Sequence, residues 1–124
     1  MVMQTKTEAL AKLSRSPFRV RFHLGVKERQ YIADKGIEVI ERHAADFVAQ
    51  RLAPAYPPND GKQTPLRGHP VFIAQHACGC CCRGCLEKWY KVPRGVALTA
   101  DQQRRIVALL MAWIEGELGE RKDR

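Results

Sequence analysis

Hydrophobic residues recur at helical spacing over most of the chain. The strongest stripe lies in residues 37–52, where apolar side chains stand three or four positions apart: Ile37, Ile40, Ala44, Phe47, Val48 and Leu52. This stripe predicts an amphipathic helix with one buried face, and Pro54 ends it. Start and stop signals predict further helices over 27–35, 70–76, 83–90 and from Thr99 onward.

The segment 18–24 follows a different pattern, in which apolar residues alternate with Arg19, Arg21 and His23. A period of two predicts a short strand or extended arm laid on the core. We therefore expect a mainly α fold: a small single domain of about four to five helices, with this extended N-terminal arm and a turn rich in Cys and His. The 124 residues suit one domain spanning 1–124, with flexible ends at 1–15 and 119–124.

Residues 53–70 contain five prolines and two glycines, which exclude regular structure over most of the segment. Loops of this length inside a compact domain are uncommon and are often functional. The loop carries ionisable side chains that can bind a small anionic ligand or position a substrate, namely Asp60, Lys62, Arg67 and His69. The alternative is a proline-stiffened connector whose polar groups satisfy their own backbone.

All five cysteines lie between Cys78 and Cys85, with His76 just before them and His69 seven residues earlier. Disulfides between such near neighbours close almost no loop and therefore stabilise a fold little. The spacing of the cysteines accordingly favours metal binding over disulfide formation. Cys82-x-x-Cys85 can present two sulfurs to one ion, and zinc takes four ligands from Cys and His. The remaining ligands are expected among five residues: Cys78, Cys80, Cys81, His76 and His69. Arg83, Lys88 and Lys91 are expected to offset the thiolate charge.

The role of this metal is open at the level of sequence. A structural zinc would have four protein ligands, whereas a catalytic zinc would keep one position for water and would suit hydrolysis or deamination. Iron or an iron–sulfur cluster is the alternative cofactor, because soft thiolates also bind iron. A dithiol redox site is a further alternative, although it normally lies in a βαβ context that this sequence lacks.

Composition adds expectations about location and partners. No secretory signal is evident near Met1 and the longest apolar run, 106–114, is too short to cross a bilayer, so we expect a cytoplasmic protein without membrane contact.

The net charge of +8 favours encounter with polyanions. A nucleic-acid-binding module with a structural zinc is therefore the main alternative function, with phosphates met by Arg15, Arg19, Arg21, Arg104 and Arg105.

Several stretches together resemble one known family of prokaryotic proteins. They include Ser16-Pro-Phe-Arg, Arg42-His-Ala-Ala-Asp-Phe, Pro58-Asn-Asp-Gly-Lys-Gln-Thr-Pro, Arg67-Gly-His-Pro-Val-Phe-Ile-Ala-Gln-His-Ala and Cys81-Cys-Arg-Gly-Cys-Leu-Glu-Lys-Trp. The resemblance, to domain of unknown function 4186, spans about residues 16–114. It implies no reaction, because the family has no established activity.

The resemblance does indicate which of the candidate metal ligands belong to the family pattern. The family pattern Cys-Cys-x-x-Cys falls on Cys81, Cys82 and Cys85, and His69 and His76 lie inside the shared motif. Other small residues are usual in the family at the positions of the two remaining cysteines. The expected zinc site therefore uses Cys82, Cys85 and two of Cys81, His76 and His69, beside a ligand-binding or active-site loop at 59–69.

Overall fold

The computed structural model describes residues 6–122, and within them the chain is mainly helical. Within this range six α-helices follow one another: α1 (Lys6–Leu13), α2 (Val26–Lys35), α3 (Ile37–Phe47), α4 (Pro70–Ala77), α5 (Arg83–Tyr90) and α6 (Ala100–Lys122). A 3-10 turn (Arg19–Arg21) precedes α2, and a π-helical turn (Val48–Leu52) continues α3. The predicted mainly α fold is confirmed.

The predicted strand over 18–24 is wrong, although the backbone of Phe22 is extended. Residues 19–21 form the 3-10 turn, and the part of the chain that the structure describes contains no strand. Ser16 starts the turn by accepting a hydrogen bond from the Arg19 N–H on its side-chain oxygen, at 3.2 Å. The polar residue Arg19 is buried while Phe18 and Val20 are about half exposed, so the alternation does not mark an apolar face.

Helix α1 lies in a segment that the sequence predicted as a flexible end. Its residues Ala9 and Leu13 are buried, because α1 packs against α6. The flexibility of the two ends stays a prediction, and residues 1–5 and 123–124 lie outside the described part of the chain.

The core forms where α3, the π-helical turn and α4 pack against α6. Its fully buried side chains include Ile40, Val48, Val71, Ile106, Leu110 and Ile114. Each such side chain stabilises the fold by about 1.5–3 kcal/mol relative to an exposed one. The predicted helix at Thr99 starts with a capping box, in which Thr99 and Gln102 exchange side-chain and backbone hydrogen bonds of 2.9 and 3.1 Å.

The buried carboxylate of Glu117 on α6 fixes the segment between the 3-10 turn and α2. It accepts a hydrogen bond from the Leu24 N–H at 2.8 Å, lies 3.0 Å from His23 Nδ1 and pairs with Arg29 at 3.6 Å. These contacts tie residues 23–24 to α6, and the 3-10 turn just before them packs against α4. No helix in the described range is both long and apolar enough to cross a membrane.

Candidate metal centre and neighbouring loop

The cysteines lie in the tight connection between α4 and α5. The Cys78 N–H donates to the Ala74 carbonyl and the Cys80 N–H to the Gln75 carbonyl, each at 2.8 Å, so the chain leaves α4 by a hydrogen-bonded turn. Gly79 adopts φ +69, and a Cβ there would lie 2.8 Å from the Trp89 ring. Only glycine combines this backbone conformation with this close approach.

Three of the five cysteines converge, and they form a group that can hold a metal ion. The Sγ atoms of Cys81, Cys82 and Cys85 all lie within 4.8 Å of one another. Cys82 caps the first turn of α5, where its sulfur accepts a hydrogen bond from the Cys85 N–H at 3.4 Å. The other two, Cys78 and Cys80, are fully buried in the core, and burial raises the pKa of the Cys80 thiol well above its ordinary value.

The side chain of Arg19, which precedes Cys81 by 62 residues in the sequence, places a positive charge beside these sulfurs. Its guanidinium donates to Cys85 Sγ at 3.1 Å and to Cys81 Sγ at 3.7 Å. A further hydrogen bond of 2.6 Å to the His76 carbonyl holds it in place, and the residue is only 8% exposed. A buried cation that contacts two sulfurs favours their thiolate forms.

The thiols of Cys81 and Cys85 share a hydrogen bond, with the two Sγ atoms 3.5 Å apart. This bond and the nearby Arg19 guanidinium, opposed by burial, lower the pKa of Cys81 to about 7. The same bond, together with burial, raises the pKa of Cys85. The site therefore carries one readily ionised thiol, and the positive end of the α5 dipole adds to the stabilisation of negative charge.

His76 lies beside the group but outside it. Its Nε2 is 3.0 Å from the Thr64 carbonyl oxygen. A carbonyl can only accept, so Nε2 carries a proton, and in the neutral ring Nδ1 then has the lone pair. The ring stacks on Phe22, with centroids 5.5 Å apart.

His69 lies in a separate cluster, where both of its ring nitrogens are engaged. Nδ1 accepts a hydrogen bond of 3.0 Å from the Val71 N–H and so caps α4. Nε2 therefore carries the proton, and it donates to His43 Nδ1 at 2.9 Å. Burial, with a contribution from His43, lowers the pKa of His69 to about 4. The structure does not bring this histidine together with the three sulfurs.

The side chain of the loop residue Asp60 forms hydrogen bonds within the loop and to α5 and the segment after it. Its carboxylate accepts hydrogen bonds from the Arg83 N–H at 3.1 Å, the Gln63 amide at 3.0 Å and Arg94 at 3.2 Å. Although burial opposes it, this set of donors lowers the pKa of Asp60. An aspartate at the start of α5 complements the helix dipole. Its contacts are those of a residue that holds the loop against the cysteine turn.

The other predicted loop residues are placed differently. Thr64 is buried and donates from its hydroxyl to the Cys81 carbonyl at 2.8 Å, which gives the loop a second attachment to the turn. Lys62 and Arg67 are exposed. The four predicted loop residues, Asp60, Lys62, Arg67 and His69, therefore do not share one hydrogen-bonded cluster.

Arg83 was expected to offset the charge of the thiolates, but its side chain has other contacts. It is fully buried, and its guanidinium donates to four backbone carbonyls, those of Leu52, Pro54, Pro93 and Val96, at 2.7–3.4 Å. These bonds tie α5 to the segments on either side. The cation that contacts the sulfurs is Arg19, which the alternation in 18–24 had placed among the polar residues of that segment.

The arginines proposed to meet nucleic acid do not form one free surface. Arg19 is buried on the sulfurs, while Arg104 and Arg105 both pair with Asp101 on α6, at 3.5 and 2.9 Å.

A family model with the description Domain of unknown function (DUF4186) matches residues 7–115, which include every helix from α2 to α5 and most of α6. No solved structure matches the chain. The cysteine turn, the loop attached to it and the helices that carry them all lie within the matched range. The chain therefore belongs to the DUF4186 family, the same family that its sequence motifs resemble.

Proposed function

We propose that this domain binds one zinc ion through the thiolates of Cys81, Cys82 and Cys85, with His76 Nδ1 as the fourth ligand. The observation that carries the proposal is the convergence of three sulfurs within 4.8 Å. Sulfur and imidazole donors in a set of four are the usual ligands of structural zinc. The proposed role of the metal is to hold the turn between α4 and α5 in place.

The charges around the sulfurs support this assignment. Zn²⁺ bound to three thiolates and a neutral histidine carries a net charge of −1, which the Arg19 guanidinium offsets at hydrogen-bond distance. Thiolates also prefer zinc to hard cations such as Mg²⁺ and Ca²⁺, which bind oxygen ligands.

The hydrogen bond from His76 Nε2 to the Thr64 carbonyl supports a ligand role for Nδ1. Histidines that bind zinc commonly donate their other ring N–H to a carbonyl or carboxylate, which fixes the tautomer. His69 is left out of the proposed set because its Nδ1 caps α4 and its Nε2 donates to His43.

Metal analysis of protein purified without oxygen in a reducing buffer tests the proposal. We expect one equivalent of zinc in the native chain and loss of this metal in Cys82→Ser and Cys85→Ser. Cys80→Ala is the matched control, because it removes a buried cysteine that lies outside the group of three. A native protein that is metal-free, takes up no added zinc and is equally stable after chelator treatment would exclude the proposed site.

Replacement of zinc by Co²⁺ tests the ligand set. We expect thiolate-to-cobalt charge-transfer absorption in the native chain, with weaker absorption in Cys85→Ser. In His76→Gln this absorption should persist, because the three sulfurs remain, while the ligand-field bands move. If the ligand-field bands of His76→Gln equal those of the native chain, His76 is not the fourth ligand.

A second candidate function is a reversible dithiol, which the 3.5 Å separation of Cys81 Sγ and Cys85 Sγ favours. Two thiols would be oxidised to one disulfide by a peroxide: hydrogen peroxide takes two protons and two electrons and leaves as two waters. Mass spectrometry would then show a loss of two hydrogens between these cysteines after mild peroxide treatment, reversed by a thiol reductant. Metal-free native protein with this reversible bond would favour the dithiol function over zinc binding.

A further inference from the structure

We infer that a cleft on a different part of the molecule binds a phosphate group. The cleft lies between the π-helical turn that continues α3 and the first half of the long loop, and its lining consists of Gln50, Arg51, Pro58, Asn59, Lys62 and Gln63. The inference does not depend on the proposed zinc site, because no cysteine lines the cleft.

Arg51 supplies a fixed positive charge to this cleft. Its guanidinium stacks over the rings of Phe47 and Phe72, at 4.9 and 5.3 Å from their centroids, and the residue is half-buried. Stacking holds the plane of the guanidinium and leaves its N–H edges available. In the described range no acidic side chain forms an ion pair with it. The cation is therefore oriented before any anion arrives.

The loop opposite is also organised by its own hydrogen bonds. The Lys62 N–H donates to the Asn59 carbonyl at 2.8 Å, and the Gly61 N–H donates to the side-chain oxygen of Gln63 at 2.7 Å. Asn59 and Gly61 both adopt positive φ, at +57 and +104, which makes the turn tight. This turn places Lys62 in the lining of the same cleft as Arg51.

The carboxylate of Asp60, in the same turn, already has three donors. Asp60 accepts from the Arg83 N–H, from Arg94 and from the amide of Gln63, and its ion pair is with Arg94. The cleft therefore combines two cations that form no ion pair within the described residues, Arg51 and Lys62, with the side-chain amides of Gln50 and Asn59.

These groups suit a tetrahedral oxyanion better than a carboxylate or a neutral ligand. Arginine can hold two oxygens of a phosphate through its planar fork, while lysine supplies a point charge to a third. Amide N–H groups of the type carried by Gln50 and Asn59 complete such a shell. A π-helical turn, which is rare and frequently lies at functional sites, supplies Gln50 and Arg51.

The source of the phosphate can be a free ion or the phosphomonoester of a small metabolite, and a titration distinguishes them. Inorganic phosphate, adenosine monophosphate and adenosine are added separately to the full-length, ¹⁵N-labelled protein as purified, at moderate salt. We expect phosphate to shift the amide signals of residues 50–51 and 58–63. Tighter binding of adenosine monophosphate than of phosphate, with none of adenosine, would assign a phosphomonoester; equal binding of both would assign the free ion.

Three variants make the test specific. Arg51→Lys keeps the charge but loses the fork, and Lys62→Ala removes the second cation; each is expected to weaken phosphate binding about tenfold, as loss of one charge-assisted contact does. Arg67→Ala is the matched control, because it removes an exposed cation of the same loop that does not line the cleft.

Binding that Arg67→Ala weakens as much as Lys62→Ala would overturn the inference, because it would reflect net charge alone. The inference also fails if phosphate shifts no signals in the cleft, or if only a polynucleotide binds and shifts signals elsewhere.

Discussion

His69 should make the protein lose stability as the solution becomes mildly acidic. In the folded protein, Nδ1 accepts from the Val71 N–H and the Nε2–H donates to His43. A proton added to Nδ1 would remove the acceptor that caps α4. The site is also enclosed by the rings of Tyr31, Phe47 and Phe72, whose centroids lie 5.1–5.6 Å from that of His69. A charged imidazole is therefore disfavoured at this position.

The magnitude follows from the displacement of the pKa. Burial, and then the charge of His43, lower the pKa of His69 to about 4, against about 6.5 in the unfolded chain. Between these values the unfolded chain binds a proton that the folded chain does not, so stability falls as the pH falls. The contribution is fully present above about pH 6.5 and declines until the pH reaches about 4. Integration gives a loss of about 2 kcal/mol between roughly pH 7.5 and pH 5.

Urea unfolding at these two pH values measures the loss, and His69→Asn isolates it. Asparagine does not titrate in this range and is a good N-cap residue, so it can accept from the Val71 N–H as His69 does. We expect His69→Asn to remove about 2 kcal/mol of the pH dependence. His23→Asn is the matched control, because the His23 side chain is 62% exposed and contacts the Glu117 carboxylate on α6. All samples contain the same chelator and reductant, so that metal release does not differ between them.

Long-range ¹H–¹⁵N NMR of the histidine rings checks the same reasoning directly, because it reports both the tautomer and the pKa. The expected spectrum shows His69 protonated on Nε2 with a pKa near 4. A pKa near 6.5, a proton on Nδ1 at neutral pH, or an equal pH dependence in His69→Asn and the native chain would refute the argument.

Two further substitutions have definite expected outcomes. Gly79→Ala should destabilise the fold by about 2–3 kcal/mol in urea unfolding, because the positive φ disfavours any Cβ and this Cβ would lie 2.8 Å from Trp89. Gly68→Ala has a positive φ but nothing within 4 Å of the added carbon, so a loss as large as that of Gly79→Ala would contradict the role given to Trp89. Arg19→Gln should weaken zinc binding by about 10–100-fold in competition with a chelator, because it removes the cation from two sulfurs. Arg21→Gln, at an exposed neighbouring arginine, should bind zinc as the native chain does, and equal affinities for both variants would show that Arg19 does not tune the site.

Much of the helical structure could be predicted from the sequence because its signals are local. The apolar stripe of 37–52, the proline that opens α4 and the Thr99–Gln102 capping box act through contacts within a few residues. The three converging cysteines also lie within five residues of one another, so the turn that joins α4 to α5 brings their sulfurs together.

The sequence could not reveal the contacts that join distant segments. Arg19 reaches sulfurs 62 and 66 residues away, and His43 meets His69 across 26 residues. The alternation at 18–24 predicted a strand, but residues 19–21 form a 3-10 turn. The described fold contains no neighbouring strand that could pair with this segment, and it buries the polar residue Arg19. Spacing along the chain determines which side chains share one helix or one turn. Which cation, ring or carbonyl faces them is decided only when α3, α4 and α6 pack together.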